Sequence, residues 1–198
     1  MPTGPGGLDP NGVWQYGEDD TEALASDLLN LGMASVSTAL AAIVTGQILQ
    51  VVSTTKTDTF STTSTSLTDV TGFAATITPS DIANKVLVQI SVPIGHSANL
   101  VNNHFFTVAD SSNNILIIPT SPGSRVASFH AGKQPENDGM YAHSFTFLHS
   151  PSTTSPFAYK VRTAVTGGTG YVNRSGTDAD SASYGRGVAT ITLTEVAG

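Results

Sequence analysis

The stretch Lys85-Val-Leu-Val-Gln-Ile-Ser-Val92 decides the fold class of this chain. Every second side chain is apolar, so Val86, Val88, Ile90 and Val92 share one face of an extended strand. A helix would instead place its apolar side chains three or four residues apart. The stretch therefore predicts a β-strand with one face in a hydrophobic core.

The same alternation continues toward the C-terminus and predicts a domain that is β throughout residues 47–198. Turn-forming clusters at 110–114, 150–156 and 167–170 separate the runs, and about eight to ten strands of average length fit this span. Such a pattern is typical of a β-sandwich or jelly roll and not of a βα fold. In the last of these runs, Thr190, Thr192 and Thr194 are predicted to face outward. The predicted inward positions of the three runs are Phe145 and Phe147; Phe157, Tyr159, Val161 and Val165; and Ala189, Ile191 and Leu193.

A helix is predicted upstream of this domain, over residues 20–46. Asp19 or Asp20 can cap its N-terminus, and Gly46 is suited to end it. Apolar side chains recur along it at spacings of four, three, four and three, which is the 3.5-residue period of a short coiled coil. The alternative is an ordinary amphipathic helix packed on its own domain. The predicted oligomerisation residues are Leu29, Met33, Val36, Leu40 and Ile43.

Residues 1–19 are rich in proline and glycine, and we expect no regular element in them. They nevertheless carry large apolar side chains, which are costly to leave in water and often anchor interfaces. We therefore interpret this segment as an extended N-terminal docking arm, the alternative being a disordered tail. The predicted docking residues are Leu8, Val13, Trp14 and Tyr16.

Composition and charge argue against several classes of partner. The net charge is −7, charged residues make up 12% of the chain, and no lysine or arginine precedes Lys56. With eight scattered basic residues, phosphate neutralisation is poor, so we expect no nucleic-acid partner. The most apolar stretch, 24–52, is interrupted by polar residues and predicts no membrane span. No signal peptide is visible and cysteine is absent, which indicates assembly in the cytoplasm without disulfides.

The chain offers little catalytic or metal-binding chemistry. No two of its five histidines have HxH or HExxH spacing; His143 and His149 share a predicted strand face but lie too far apart for one metal ion. We expect each histidine to lie at the surface or to pack between strands. Asp178 and Asp180 begin a calcium-loop spacing without its glycine and glutamate, so an ordinary solvated loop is favoured. We therefore predict a protein that is not an enzyme and has no catalytic residues, metal or cofactor.

Two stretches carry a resemblance to a known group of proteins. Residues 4–20 (GPGGLDPNGVWQYGEDD) and the acidic helix after them resemble the N-termini of structural proteins of tailed phages of actinobacteria. The runs beginning at Ile48, Ile77 and Lys85, with the endings 171–175 and 191–196, resemble domains of fibre-like proteins of marine and other tailed phages. Together the two stretches cover nearly the whole chain.

The resemblance implies a virion location and a homotrimer. On this basis the expected function is that of a head fibre or decoration protein, attached by its arm to the capsid or another virion protein. The small size favours this over a long tail fibre. The alternative is a minor tail or receptor-binding fibre protein whose β-domain recognises host surface glycans, for which Tyr141, Tyr171 and Tyr184 in neutral loops are suitable.

Overall fold

A computed structural model describes residues 7–8, 14–15, 33–36, 45–97, 102–120, 123–133 and 139–198. The chain divides into two compact units, Met1–Gln47 and Ile48–Gly198. In the first, β1 (Gly7–Leu8) pairs antiparallel with β2 (Trp14–Gln15), and Leu8 lies opposite Trp14. The expectation of no regular element in the arm is therefore wrong at these four residues, which flank the turn-forming sequence Pro10-Asn-Gly12.

One turn of helix is described within the predicted helical segment, at residues 33–36. Met33 and Val36 on this turn expose 68% and 64% of their surface. Gly46, the predicted helix end, has a φ of 81°, a left-handed conformation that favours glycine. The other predicted oligomerisation residues, Leu29, Leu40 and Ile43, lie outside the described residues. The coiled coil therefore stays a prediction.

The second unit holds the ten remaining strands of the described residues. They are β3 (Ile48–Lys56), β4 (Phe60–Thr62), β5 (Thr68–Ile77), β6 (Lys85–His96), β7 (Asn103–Ala109), β8 (His130–Lys133), β9 (Tyr141–His149), β10 (Phe157–Val165), β11 (Gly170–Val172) and β12 (Ala189–Val196). All four strands predicted from apolar alternation are present, so the mainly β prediction is confirmed. β6 extends four residues beyond the predicted Val92.

The strands form two antiparallel sheets. Sheet I has the order β3-β12-β6-β9, and the short strands β11 and β4 continue it beside the far end of β6. Sheet II has the order β5-β10-β7-β8. Along the eight longer strands, the chain changes sheet at every connection except that between β7 and β8. This strand order is that of a jelly roll, in which two Greek keys build a two-sheet sandwich.

A single hydrophobic core lies between the two sheets. Phe73, Phe106 and Tyr159 of sheet II and Val88 and Ile191 of sheet I have essentially no exposed surface. Burying such side chains stabilises the fold by roughly 1.5–3 kcal/mol each. Because alternate residues of each strand fill this core, the intervening residues form the outer faces of the sandwich.

Candidate functional site

The outer face of sheet I is a regular array of uncharged side chains. Cross-strand register places β3, β12, β6 and β9 residues in three successive rows of four. We call this array the hydroxyl face. Its rows are Val51, Thr194, Leu87 and Leu148; Ser53, Thr192, Gln89 and Thr146; and Thr55, Thr190, Ser91 and Ser144.

Alternation along each strand explains why these side chains face outward. In β12, Ile191 and Leu193 are fully buried in the core, so Thr190, Thr192 and Thr194 lie on the opposite side, where Thr194 is covered by its neighbours and only 6% exposed. The hydroxyl groups of Ser53 and Thr192 approach to 3.0 Å. A shallow recess of about 260 Å³ lies over the two hydroxyl rows. The face therefore presents many groups that can both donate and accept hydrogen bonds.

The first row of the hydroxyl face is aliphatic at its edges. Val51 and Leu148 expose 58% and 53% of their surface. Ile48 and Leu49, at the start of β3, expose 67% and 42%. Exposed apolar side chains thus gather at the end of sheet I where the chain enters the β-domain. Exposed apolar side chains grouped at one end of a sheet are typical of interaction sites.

The outer face of sheet II has a different character. Asp69 of β5 accepts ion pairs from Lys160 and Arg162 of β10, both at 2.9 Å. Lys160 also donates to the Asn113 side chain at 2.7 Å. Hydrogen bonding to Lys160 lowers the pKa of Asp69 below its usual value, against a small opposing effect of burial. We call these three charged residues the ion-pair face, since their charges are satisfied within the chain.

Four histidines from four different strands converge between the sheets. We call them the histidine cluster: His96 of β6, His104 of β7, His130 of β8 and His143 of β9. The rings of His130 and His143 are 3.8 Å apart, and those of His96 and His104 are 6.0 Å apart. Phe106 joins the two pairs, at 4.5 Å from His104 and 6.3 Å from His130.

Three members of the histidine cluster, His104, His130 and His143, are held in their neutral form. Burial, followed by the neighbouring histidines, lowers the pKa of His104 to about 3. Burial and His143 lower the pKa of His130 to about 4, and burial lowers the pKa of His143. His104 Nε2 lies 2.9 Å from Thr163 Oγ1, which itself donates to the Phe105 carbonyl, so His104 donates this hydrogen bond. No group of three or more metal-ligating side chains is found in the part of the chain that the structure describes.

The histidines were only partly understood from sequence. We expected surface or strand-packing positions, and His96 and His104 have the second of these, packed between strands and almost wholly buried. His143 and His149 lie on the same side of β9 as expected, yet they serve different partners, because His149 Nδ1 lies 2.9 Å from the Tyr159 hydroxyl. No spacing in the sequence could signal the cluster, since each member comes from a separate strand.

A buried carboxylate anchors the end of sheet I. Glu195 of β12 is 1% exposed and accepts hydrogen bonds from the side chains of Gln50, Ser80 and Asn84 and from the Ser80 backbone N–H. Burial alone would raise its pKa, but these hydrogen bonds outweigh that effect and lower the pKa to about 2. The four donors are neutral, so Glu195 ties β3 and the β5–β6 connection to β12 without a cation.

The loop that contains Asp178 is braced by ion pairs. Asp178 contacts Arg174 at 3.2 Å and Arg186 at 2.8 Å, and Arg174 also stacks 4.2 Å above the Tyr171 ring. The carboxylate is thus already paired with cations, which agrees with the preference for an ordinary loop over calcium. A polar recess of about 220 Å³ beside it is lined by Asp180, Tyr184 and Arg186, among others.

The predicted interaction residues receive uneven structural support. Met33 and Val36 are exposed, and Leu8 pairs with Trp14 through the backbone. Val13 and Tyr16 lie outside the described residues. The structure therefore tests neither docking nor oligomerisation. The hydroxyl face was missed as a unit, although the outward alternation of Thr190, Thr192 and Thr194 was its signal.

Comparison with known proteins gives limited information. No protein-family model matches the chain, and no curated protein matches it. The chain is similar to three solved structures of infectious bursal disease virus. The Gt strain structure has a TM-score of 0.42 and 14% identity, and the match covers 77% of this chain and 39% of that chain. For the Gx strain structure the TM-score is 0.40, the identity 11% and the coverages 78% and 38%, and for the VP2 subviral particle the TM-score is 0.37, the identity 14% and the coverages 75% and 38%.

These similarities are weak. The chain spans less than two fifths of the length of the matched chains. With TM-scores below 0.5, the matches do not establish a common fold, and the functions of the matched proteins do not transfer to this chain. Separately, no helix within the described residues has the length and apolar character needed to cross a bilayer.

Proposed function

We propose that this chain is a non-enzymatic structural protein of a bacteriophage particle, a homotrimeric head fibre or decoration protein attached through its N-terminal arm. The single observation that carries the proposal is the exposed apolar surface of the helical turn, which lies outside the β-domain. Met33 and Val36, three residues apart on a helical turn, are mostly exposed in a chain whose β-domain has a complete core of its own. Apolar side chains at that spacing are suited to pairing with another helix.

The β-domain supports a structural function. Its strand order is that of a jelly roll, a fold used by viral coat proteins, although lectins and cupins share it and the fold alone assigns no function. The buried ionisable groups each have a structural explanation: Glu195 ties three segments together, Lys56 pairs with Asp58 at 2.7 Å, and the histidine cluster packs around Phe106. The resemblance of residues 4–20 and of the β-domain to tailed-phage proteins points to the virion.

Trimerisation strengthens a weak peptide attachment. If Leu8, Val13, Trp14 and Tyr16 of each arm contact the capsid or another virion protein, linking three arms makes the second and third contacts intramolecular. Such linkage can raise the overall affinity by roughly 10²–10⁴ without any new contact. The helical segment would thereby multiply the attachment made by each arm.

The proposal is tested by removing the arm and the helix contacts separately. Deleting residues 1–19 should leave a trimer that no longer cosediments with particles, because the docking residues are gone. Replacing Val36 and Leu40 together with aspartate should yield monomers, as measured by sedimentation velocity, because like charges would meet in the helix seam. Decoration of particles by the truncated chain would disprove docking by the arm, and an unchanged mass of the double variant would place the contacts elsewhere.

The second candidate is a tail or receptor-binding fibre protein that recognises host glycans. It is favoured by the polar recess lined by Asp180, Tyr184 and Arg186, since an aromatic ring beside charged and hydroxyl groups suits a sugar. Binding of host cell-wall glycan by the full chain, lost in Tyr184→Ala and retained in Ile82→Ala, an exposed residue outside this recess, would favour this candidate over the first.

A further inference from the structure

We propose that the hydroxyl face of sheet I is the surface through which the β-domains of separate copies of this chain pack against one another. This inference rests on the proposed homotrimer and adds a second contact to the one expected in the helical segment. The interacting partners are the same faces of the other copies, which meet about the threefold axis of the trimer, and not a nucleic acid, a membrane or a glycan.

The absence of charge on this face favours an identical partner. Residues 48–198 carry nine acidic and eight basic side chains, so an arbitrary contact between two β-domains brings some like charges together. None of the side chains in the three rows is ionisable, and the nearest charged position along β6 is Lys85, beyond the aliphatic row. Two copies that meet through this face therefore bring no like charges into contact.

The chemistry of the face is self-complementary. A lysine or aspartate array must meet the opposite charge, and therefore cannot pair with its own copy. A hydroxyl group both donates and accepts, so a row of serines and threonines can hydrogen-bond to an identical row in either direction. The rows containing Ser53, Thr192, Thr146 and Ser144 meet this requirement. The aliphatic row with Val51 and Leu148 likewise gains by covering its own counterpart.

The position of the aliphatic row also favours an association between copies. In the sequence, exposed apolar side chains occur at Met33 and Val36 in the predicted self-associating helix and again at Ile48 and Val51, where β3 begins. A contact between copies at this end of sheet I would cover Ile48 and Val51 and so remove apolar surface from water.

The hydroxyl face is too small to form a stable interface without the contact expected in the helical segment. Strands about 4.8 Å apart and rows about 7 Å apart give a footprint of roughly 20 × 20 Å once side chains are included. That is about half of the ~800 Å² per partner in a typical stable interface. The face alone should therefore associate weakly, and it should add affinity only when another segment already joins the copies.

A charge placed on the hydroxyl face tests the inference in the full-length chain. Thr146→Lys adds a lysine to an exposed threonine in the middle of β9, and the matched control Thr76→Lys makes the same change on the exposed outer side of β5 in sheet II. Sedimentation velocity over a range of concentrations measures the association constant. We expect Thr146→Lys to weaken association at least tenfold relative to Thr76→Lys, while circular dichroism shows equal melting temperatures.

Cysteine cross-linking identifies the partner directly, because the chain has no cysteine of its own. With a short bis-maleimide, Thr146→Cys should give covalent oligomers of this chain, and Thr76→Cys should give at least tenfold fewer. Equal association of the two lysine variants would overturn the inference. So would a Thr146→Lys protein that keeps its oligomeric mass but no longer joins particles, because another virion protein would then cover the face.

These results remain distinguishable from failure of the proposed function. Suppose that the unmodified chain is oligomeric and that the double variant Val36→Asp, Leu40→Asp is monomeric. If Thr146→Lys then has no effect on association, the helix contact stands and the hydroxyl-face contact is wrong. If the unmodified chain is a monomer at every concentration, the proposed trimer itself is wrong, and the hydroxyl-face contact is wrong with it.

Discussion

The two outer faces of the sandwich differ in how their polar groups are satisfied. On sheet II, Asp69 holds Lys160 and Arg162 in ion pairs, so the charges of the ion-pair face find partners within the chain. On sheet I, the hydroxyl face has no charged side chain. The carboxylate of Glu195, which also belongs to sheet I, lies on the inner side of the sheet among neutral donors. The charges of sheet II are therefore satisfied within the chain, whereas the uncharged outer face of sheet I is the surface that we propose for contact between copies.

The comparison also separates stability from association. Residues on the inner side of sheet I should control folding, because their polar groups are buried and depend on one another. Residues on the hydroxyl face should control association with little effect on folding. The ion-pair face should matter little for either property. Changes to Glu195, to the pH and to Asp69 test these assignments, with expected effects that decrease in that order.

The largest effect is expected from Glu195→Ala. It removes the acceptor of four hydrogen bonds, so the buried Asn84 amide and the Ser80 backbone N–H each lose a charged acceptor, whereas Gln50 keeps its bond to the Thr78 carbonyl and Asn84 its bond to Ser80 Oγ. We expect the free energy of unfolding to fall by about 2–4 kcal/mol, as measured by urea denaturation. A loss below about 1 kcal/mol would show that sheet I does not depend on this anchor. Glu195→Gln, which keeps one oxygen acceptor, should lose less than the alanine variant.

Acidification should have the next largest effect, through the histidine cluster. The pKa of His104 is about 3 and that of His130 about 4 in the fold, and both lie below the value near 6.5 of an unfolded histidine. Below pH 6.5 the unfolded chain therefore binds protons that the folded chain does not, and stability falls as the pH falls toward 4 and then 3. His104 alone should cost roughly 2–3 kcal/mol at pH 4.5.

The measurement is the urea midpoint of the full chain from pH 7.5 to 4.5. In His104→Gln, which cannot take up a proton, the decline should be less steep than in the unmodified chain. Equal slopes for the two proteins would contradict the assignment. Glu195 does not contribute to the loss of stability between pH 7.5 and 4.5. Its pKa is about 2 in the fold and 4.5 ordinarily, so the stability that it supplies is lost only as the pH falls below 4.5.

The smallest effect is expected on the ion-pair face. Asp69→Asn removes the carboxylate shared by Lys160 and Arg162, and Lys160 keeps its hydrogen bond to Asn113. Because such pairs near the surface are worth little, we expect a loss of about 0.5–1 kcal/mol by thermal unfolding and an unchanged association constant. A change in oligomeric mass would show that sheet II, and not sheet I, takes part in association.

Much of the β-domain could be predicted because alternation of apolar residues is a local signal. Val86, Val88 and Ile90 required a strand, and the turn-forming run at 110–114 required a break, whatever the rest of the chain does. The inward sides of β9, β10 and β12 followed in the same way. The β1–β2 pair was missed because two-residue strands leave no periodicity in a segment rich in proline and glycine.

The sequence by itself determined which side chains of each strand face the core and which face outward, because a strand alternates with a fixed period of two. Only the tertiary structure decided which strands are neighbours and in what register. Register aligns Thr192 with Gln89 and Thr146 in one row, and sandwich closure brings His130 of β8 against His143 of β9. These juxtapositions depend on long-range pairing between strands, and no local pattern specifies such pairing.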